Sequence, residues 1–354
     1  MSTAPPRRRA VRPPSRWERA LTRTEERIRK LRSSRFPQLL WVLAVVGGLA
    51  ALVFSGVGIG PEWLGAAGST AIASAYTWAL AARAGGRPLF FGALAFAYGV
   101  TATVAGTDVL TTGAAVGTCV VSAVLAVMAT VPAVRFVHAA REAVVALLVA
   151  AVGAVATVGF EPTISLLRFE YVTLGLALAG ALGLVYRLGA GLHGLGRRGV
   201  VVVLVGSVVL GVTLAYAELL RRYGTPGLVG SLLDGIRWTR AELGAFPRPL
   251  VAVLGIPALV WGCYMRARRR QGWWVCAFGV AATAPVAQAL VNTTVSRTEA
   301  LLAVLYALVV GLAVGFVLVR LDLRFTAPKG RRGRRAEEAA SAVRPEPGRT
   351  EALL

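Results

Sequence analysis

The sequence is poor in the residues that most chemistry uses. It has two histidines, three cysteines, three methionines and two lysines in 354 residues. His138 and His193 have no Cys, Asp or Glu at metal-ligand spacing, and there is no HExxH, so a zinc site is not expected. Cys119, Cys263 and Cys276 form no CxxC and lie within or beside apolar runs. This excludes a disulfide framework and suits small buried fillers. The chain also has no P-loop, which excludes a self-contained ATPase. It has no GxSxG elbow, and Ser55-Gly-Val-Gly-Ile-Gly60 is not GxGxxG. No cofactor is expected, and the enzyme reading has no nucleophile, metal site or acidic pair behind it.

What the chain has in excess is apolar length. Hydrophobic residues make up 56% of it and the mean hydropathy is +0.65. The apolar residues fall in blocks at 38–57, 64–82, 88–106, 112–134, 143–160, 169–186, 199–219, 249–265, 273–292 and 300–319. A helix needs about 20 such residues to cross roughly 30 Å of hydrocarbon, whereas barrel strands are about ten residues of alternating polarity. The expected fold is therefore an all-α polytopic bundle of about ten transmembrane helices. It has three parts: a polar tail 1–37, a membrane region 38–320 and a polar tail 321–354 that is too basic and apolar-poor to fold alone.

The net charge of +22 points away from nucleic acid, because it sits in the tails and in alternate loops. With the N-terminus inside, all but seven of the 39 Lys and Arg fall on the inner side. The seven are Arg168, Arg297 and the five arginines 221, 222, 237, 240 and 248. Positive charge is retained in the cytoplasm, so both termini are expected there. The near-total preference for Arg over Lys, with abundant Ala, Val and Gly, suits a GC-rich bacterial genome and a plasma-membrane location.

Three surfaces are amphipathic or basic. Trp17, Leu21, Ile28 and Leu31 share one helical face in the N-terminal tail, apart from most of its arginines, as in a helix lying on anionic lipid. Thr225-Pro226 is a helix start in the long outer loop 220–248, followed by a stripe of Leu228, Val229, Leu232, Leu233 and Ile236. This loop helix reads either as interfacial or as a lid. Arg266, Arg268, Arg269 and Arg270 are candidate contacts for anionic headgroups, beside their plainer role as orientation signals. Gly113-xxx-Gly117 and Gly311-xxx-Gly315 have the spacing of close helix approach, within the bundle or in a homo-oligomer.

The polar residues of the spans suggest one further site. No Asp, Glu, Lys or Arg lies mid-span. Ser74, Thr77, Asp108, Glu161, Glu218, Gln288 and Asn292 could together line a shallow outer vestibule. The chain resembles drug/metabolite transporters in span count, length of the membrane region and cytoplasmic termini. Those are built from inverted five-helix halves, which implies matching Pro and Gly breaks. Here Pro257 and Pro285 interrupt the eighth and ninth blocks, while Pro88 and Pro132 sit near the ends of the third and fourth. Polytopic glycosyltransferases with lipid-linked donors are similar in outline but carry an acidic pair in a large first outer loop, where this chain has Glu62 alone. The functional expectation is a permease-like carrier or facilitator of a small or amphiphilic solute. The alternatives are a non-catalytic scaffold or regulatory partner of an envelope assembly and, third, a lipid- or glycan-handling enzyme. A carrier predicts a polar cavity reaching mid-membrane between the second, eighth and ninth blocks. A scaffold predicts a filled bundle.

Overall fold

A computed structural model describes residues 36–268, 271–326 and 346–353, and leaves the side chains of 189–198, 217–219, 221, 226, 228 and 326 undescribed. The amphipathic face expected at 17–31 lies outside these residues, as do Arg269 and Arg270. The described residues belong to two compact units, Met1–Val46 and Gly47–Leu354. Residues 36–46 of the first are a single stretch of helix. All the packing described below lies within the second.

The secondary structure is helical, with no strand among the described residues. In chain order the helices are α1 Phe36–Gly56, α2 Trp63–Arg83, α3 Pro88–Ala105, α4 Asp108–Met128, α5 Phe136–Val158, α6 Leu166–Val185, α7 Gly191–Tyr223, α8 Pro226–Leu243, α9 Ile256–Arg266, α10 Gly272–Ala277, α11 Val280–Val291 and α12 Arg297–Thr326. A π turn, Tyr186–Ala190, joins α6 to α7, and a second, Leu250–Gly255, leads into α9. Each of the ten apolar blocks coincides with helix. Eight of these helical stretches are long and apolar enough to cross a membrane, which is the pattern of a multi-pass membrane protein. The other two differ for visible reasons. Helix α2 carries Ser69, Thr70, Ser74 and Thr77, which lower its hydropathy, and Leu250–Arg266 is shorter than a full span.

Burial separates a centre from a periphery. The stretch Gly272–Val291 is almost wholly buried, whereas α3 and Gly199–Tyr216 bury only a small part of their length. Helices α10 and α11 are thus encased by α5, α6, α9 and the π turn, while α3 and α7 present Leu89, Val104, Leu204 and Val208 outward. Outward apolar side chains of this kind suit lipid as solvent. Small residues bring the central helices together: Ala115, Ala126, Ala143, Ala146, Ala154, Ala177 and Ala282 have no exposed surface. Close approach of small-residue faces is the usual packing device inside membranes, where no hydrophobic force separates helix from lipid. Gly255 shows the requirement directly, since a Cβ there would collide with the backbone of Ala281 and Ala282. Gly311 and Gly315 likewise face Ile256 and Val260 of α9, so this GxxxG pair packs within the bundle.

Proline and glycine set the interruptions. Pro257 supplies no N–H for the carbonyl four residues before it, and the preceding π turn lets Ile256 N–H bond to Val251 O instead. Between α10 and α11 the ladder tightens to i→i−3 bonds, with Phe278 N–H to Val275 O and Gly279 N–H to Cys276 O. Pro285 then sits inside α11. The eighth and ninth blocks are therefore discontinuous helices.

Candidate functional site: an acidic cleft and a buried charge cluster

Helix α2 begins beside Glu62 and ends at Arg83, about 30 Å apart at 1.5 Å rise per residue. Its two ends belong to two different polar sites.

The first is a cleft of about 1080 Å³ formed where seven helices end: α1 at Ser55 and Gly56, α2 at Trp63, α3 at Thr103, α4 at Asp108 and Thr111, α5 at Val158, α11 just before Asn292, and α12 at Arg297. Its charged lining is Glu62, Asp108, Glu161 and Arg297, three carboxylates against one guanidinium. Glu161 follows α5 with φ +51°, a left-handed conformation that costs a non-glycine residue about 1–3 kcal/mol. The surrounding turn is held in place. Glu161 N–H donates to Val158 O at 2.9 Å, and Thr163 N–H donates to Thr112 Oγ1 at 3.2 Å. Asn292 stands at the end of α11, with its Oδ1 accepting from Thr294 N–H (3.0 Å) and Thr294 Oγ1 (2.7 Å).

Of the vestibule residues named from sequence, Asp108, Glu161 and Asn292 line this cleft. Ser74 and Thr77 do not, since their hydroxyls donate back to Thr70 O (2.6 Å) and Ala73 O (2.7 Å) of their own helix. Gln288 is buried and donates to Glu170 O (3.2 Å) and Thr173 Oγ1 (3.1 Å). It belongs to a polar knot that sequence reasoning missed. There Arg248 Nη1 donates to Pro285 O at 3.3 Å and lies 3.9 Å from Glu170 Oε1. Burial pulls the Arg248 guanidinium below its ordinary pKa, and Glu170 opposes that pull. The side chain of Glu218 lies outside the described residues.

The second site gathers charges from three helices, α2, α5 and α9, and from the C-terminal segment. Arg83, Glu142 and Arg266 are 3%, 0% and 6% exposed. Arg266 lies 3.5 Å over the Trp273 ring, donates to Thr130 Oγ1 (2.8 Å) and Thr130 O (3.2 Å), and pairs with Glu346. Arg83 Nε donates to Met128 O at 3.0 Å, and its Nη1 donates to Gly348 O and Glu351 O. Glu142 accepts from Val131 N–H (3.0 Å) and takes both oxygens to Arg349, at 3.0 and 2.8 Å. Leu353 N–H closes the contact on Arg83 O at 2.8 Å. Residues 346–353, from the stretch expected to be unstructured, thus supply one carboxylate, one guanidinium and three backbone groups to this cluster. Arg266, named from sequence as a headgroup contact, is placed inside it. Arg268 lies 4.0 Å over the Tyr264 ring.

Among the described residues no three His, Cys, Asp or Glu side chains come together as a metal would need. Neither site holds a recognisable nucleophile with its base. The charged lining of the cleft is acidic on balance. No family model matches the chain, and neither a curated protein nor a solved structure matches it.

Proposed function

We propose that the chain is a carrier or facilitator for a small or amphiphilic solute, with the acidic cleft as its loading site. The carrying observation is the cleft itself. It is large enough for a small molecule (sites for drug-sized ligands run roughly 300–1,000 Å³) and lined by scattered carboxylates rather than a catalytic constellation. The left-handed Glu161 supports the same reading, because strain of this kind concentrates at ligand sites. Discontinuous helices at Leu250–Arg266 and Gly272–Val291 supply the hinge material that alternating access uses. The preferred solute is a cationic amphiphile, by the excess of carboxylate.

The proposal includes ten spans, both termini in the cytoplasm of a bacterial plasma membrane, and the cleft open to the outside. The alternation of arginine-rich and arginine-poor loops supports that orientation. The scaffold reading is favoured by a different observation: the core between cleft and charge cluster is filled by alanines with no exposed surface. On the carrier reading this is one closed state of a cycle.

Binding of dodecyltrimethylammonium to the detergent-purified chain tests the choice. Saturable binding that is lost in an Asp108→Asn, Glu161→Gln double variant of unchanged thermal stability supports the carrier. Equal binding by both forms sinks it.

A further inference from the structure

We propose that residues 346–353 are a tethered latch, a detachable peptide ligand that closes the Arg83–Glu142–Arg266 end of the bundle. This goes beyond the carrier reading and does not depend on what the cleft binds.

Arg83, Glu142 and Arg266 lie where water is excluded, and an ionised group there must be paired. The bundle alone satisfies them in part: Arg266 has Thr130 and Trp273, Arg83 has Met128 O, and Glu142 has Val131 N–H and the largely exposed Arg141, whose Nη2 lies 3.1 Å from one carboxylate oxygen. The C-terminal segment adds an opposite charge to two of them: Glu346 is the carboxylate on Arg266, and Arg349 reaches both oxygens of Glu142, of which Arg141 reaches one. An acid followed three residues later by a base matches a basic and an acidic socket, so the fit is directional. Gly348 and Glu351 carbonyls fill Arg83, and Gly348 N–H bonds to Glu351 Oε2 at 3.0 Å, which fixes the turn that presents them.

Two features mark the contact as detachable rather than as core. The segment is joined to α12 through residues 327–345 and forms no helix of its own. Its charged side chains remain partly wet: Arg349 is 32% and Glu346 23% exposed, while their partners on the bundle are 0%. Arg83 Nη2 is also buried with no partner among the described residues, so the socket offers one donor more than the segment uses. A peptide recognised through an Arg–carboxylate pair, in which Arg349 Nη2 reaches both Glu142 oxygens, and through charge-assisted carbonyl contacts is a specific ligand. Once withdrawn, it leaves two guanidiniums and a carboxylate facing an open mouth.

The test uses hydrogen exchange of the full chain together with a peptide. In the full-length protein the Leu353 and Gly348 amides should exchange roughly tenfold or more slowly than in the free peptide 345–354. Glu142→Gln, which keeps the shape and the Val131 contact but removes the ion pairs, should abolish most of that protection. Fluorescein-labelled peptide 345–354 should bind a chain ending at residue 344. It should fail to bind full-length protein, whose socket is occupied, and lose at least about tenfold in affinity when it carries Glu346→Gln and Arg349→Glu. If the shortened chain does not fold, the exchange experiment decides alone. Exchange in the full chain as fast as in the free peptide overturns the latch, as does equal peptide binding by folded full-length and shortened chains.

Discussion

Helices α2, α4 and α5 each take part in both polar sites, and the two sites use charge in opposite ways. At the cleft, Glu62, Asp108 and Glu161 are exposed acids at helix ends, separated from one another and bordered by Arg297. At the other end, Arg83, Glu142 and Arg266 are buried and joined to the C-terminal segment through ion pairs and backbone contacts. The difference follows from desolvation. An exposed carboxylate keeps its hydration and remains available to a ligand, while a buried one is committed to its partner because removal of that partner is costly. One end therefore presents hydrated acids and the other committed ion pairs.

Substitutions can break or sharpen that contrast. The largest effect is expected from Glu142→Ala, which strands Arg349 and the Val131 amide. Breaking a buried pair costs about 3–5 kcal/mol, read as a large fall in thermal midpoint in detergent. A fall no larger than that of a surface variant would place the cluster in water. Thr173→Val should cost about 1–3 kcal/mol, because it removes the hydroxyl that accepts from the buried Gln288 amide. Restoring stability with the added change Gln288→Leu would locate the penalty in that unsatisfied donor. Arg240→Ala, which loses its 3.3 Å contact with Glu299 at an arginine 58% exposed, should change stability by less than about 1 kcal/mol, and high salt should erase even that. Asp108→Asn is expected to stay within about 0.5 kcal/mol of the parent while weakening cation binding in the cleft. A destabilisation as large as that of Glu142→Ala would remove the distinction between the two ends.

The helices were legible from composition because a membrane span needs only length and apolarity, and both are local. The break in the eighth block was legible from Pro257, since a proline removes a backbone donor wherever it stands, whereas that in the ninth falls at Phe278–Gly279 and Pro285 sits inside the continuous helix α11. Asp108, Glu161 and Asn292 could be placed near one surface by counting along their helices, and they do line one cleft. Ser74, Thr77 and Gln288 were grouped with them on the same arithmetic. Depth along a helix does not say which way a side chain turns, and these three find their bonds within the packed bundle. The charge cluster was hidden for another reason. Arg83, Glu142, Arg266 and Arg349 are far apart in sequence, and each of the arginines is indistinguishable from an orientation signal. Glu142 was the one available clue, an acid at the edge of an apolar block in a loop otherwise basic. The Glu346–Arg349 spacing has meaning only once its two sockets are known.

The most direct test of the account is the reactivity of a cysteine at position 161 in intact cells, in a background where Cys119, Cys263 and Cys276, all buried, are replaced by alanine. The account predicts that Glu161→Cys is labelled by a membrane-impermeant maleimide from outside, and that dodecyltrimethylammonium slows the labelling. A cysteine at 161 that reacts only after the membrane is opened, or that reacts at one rate with and without the cation, would contradict it.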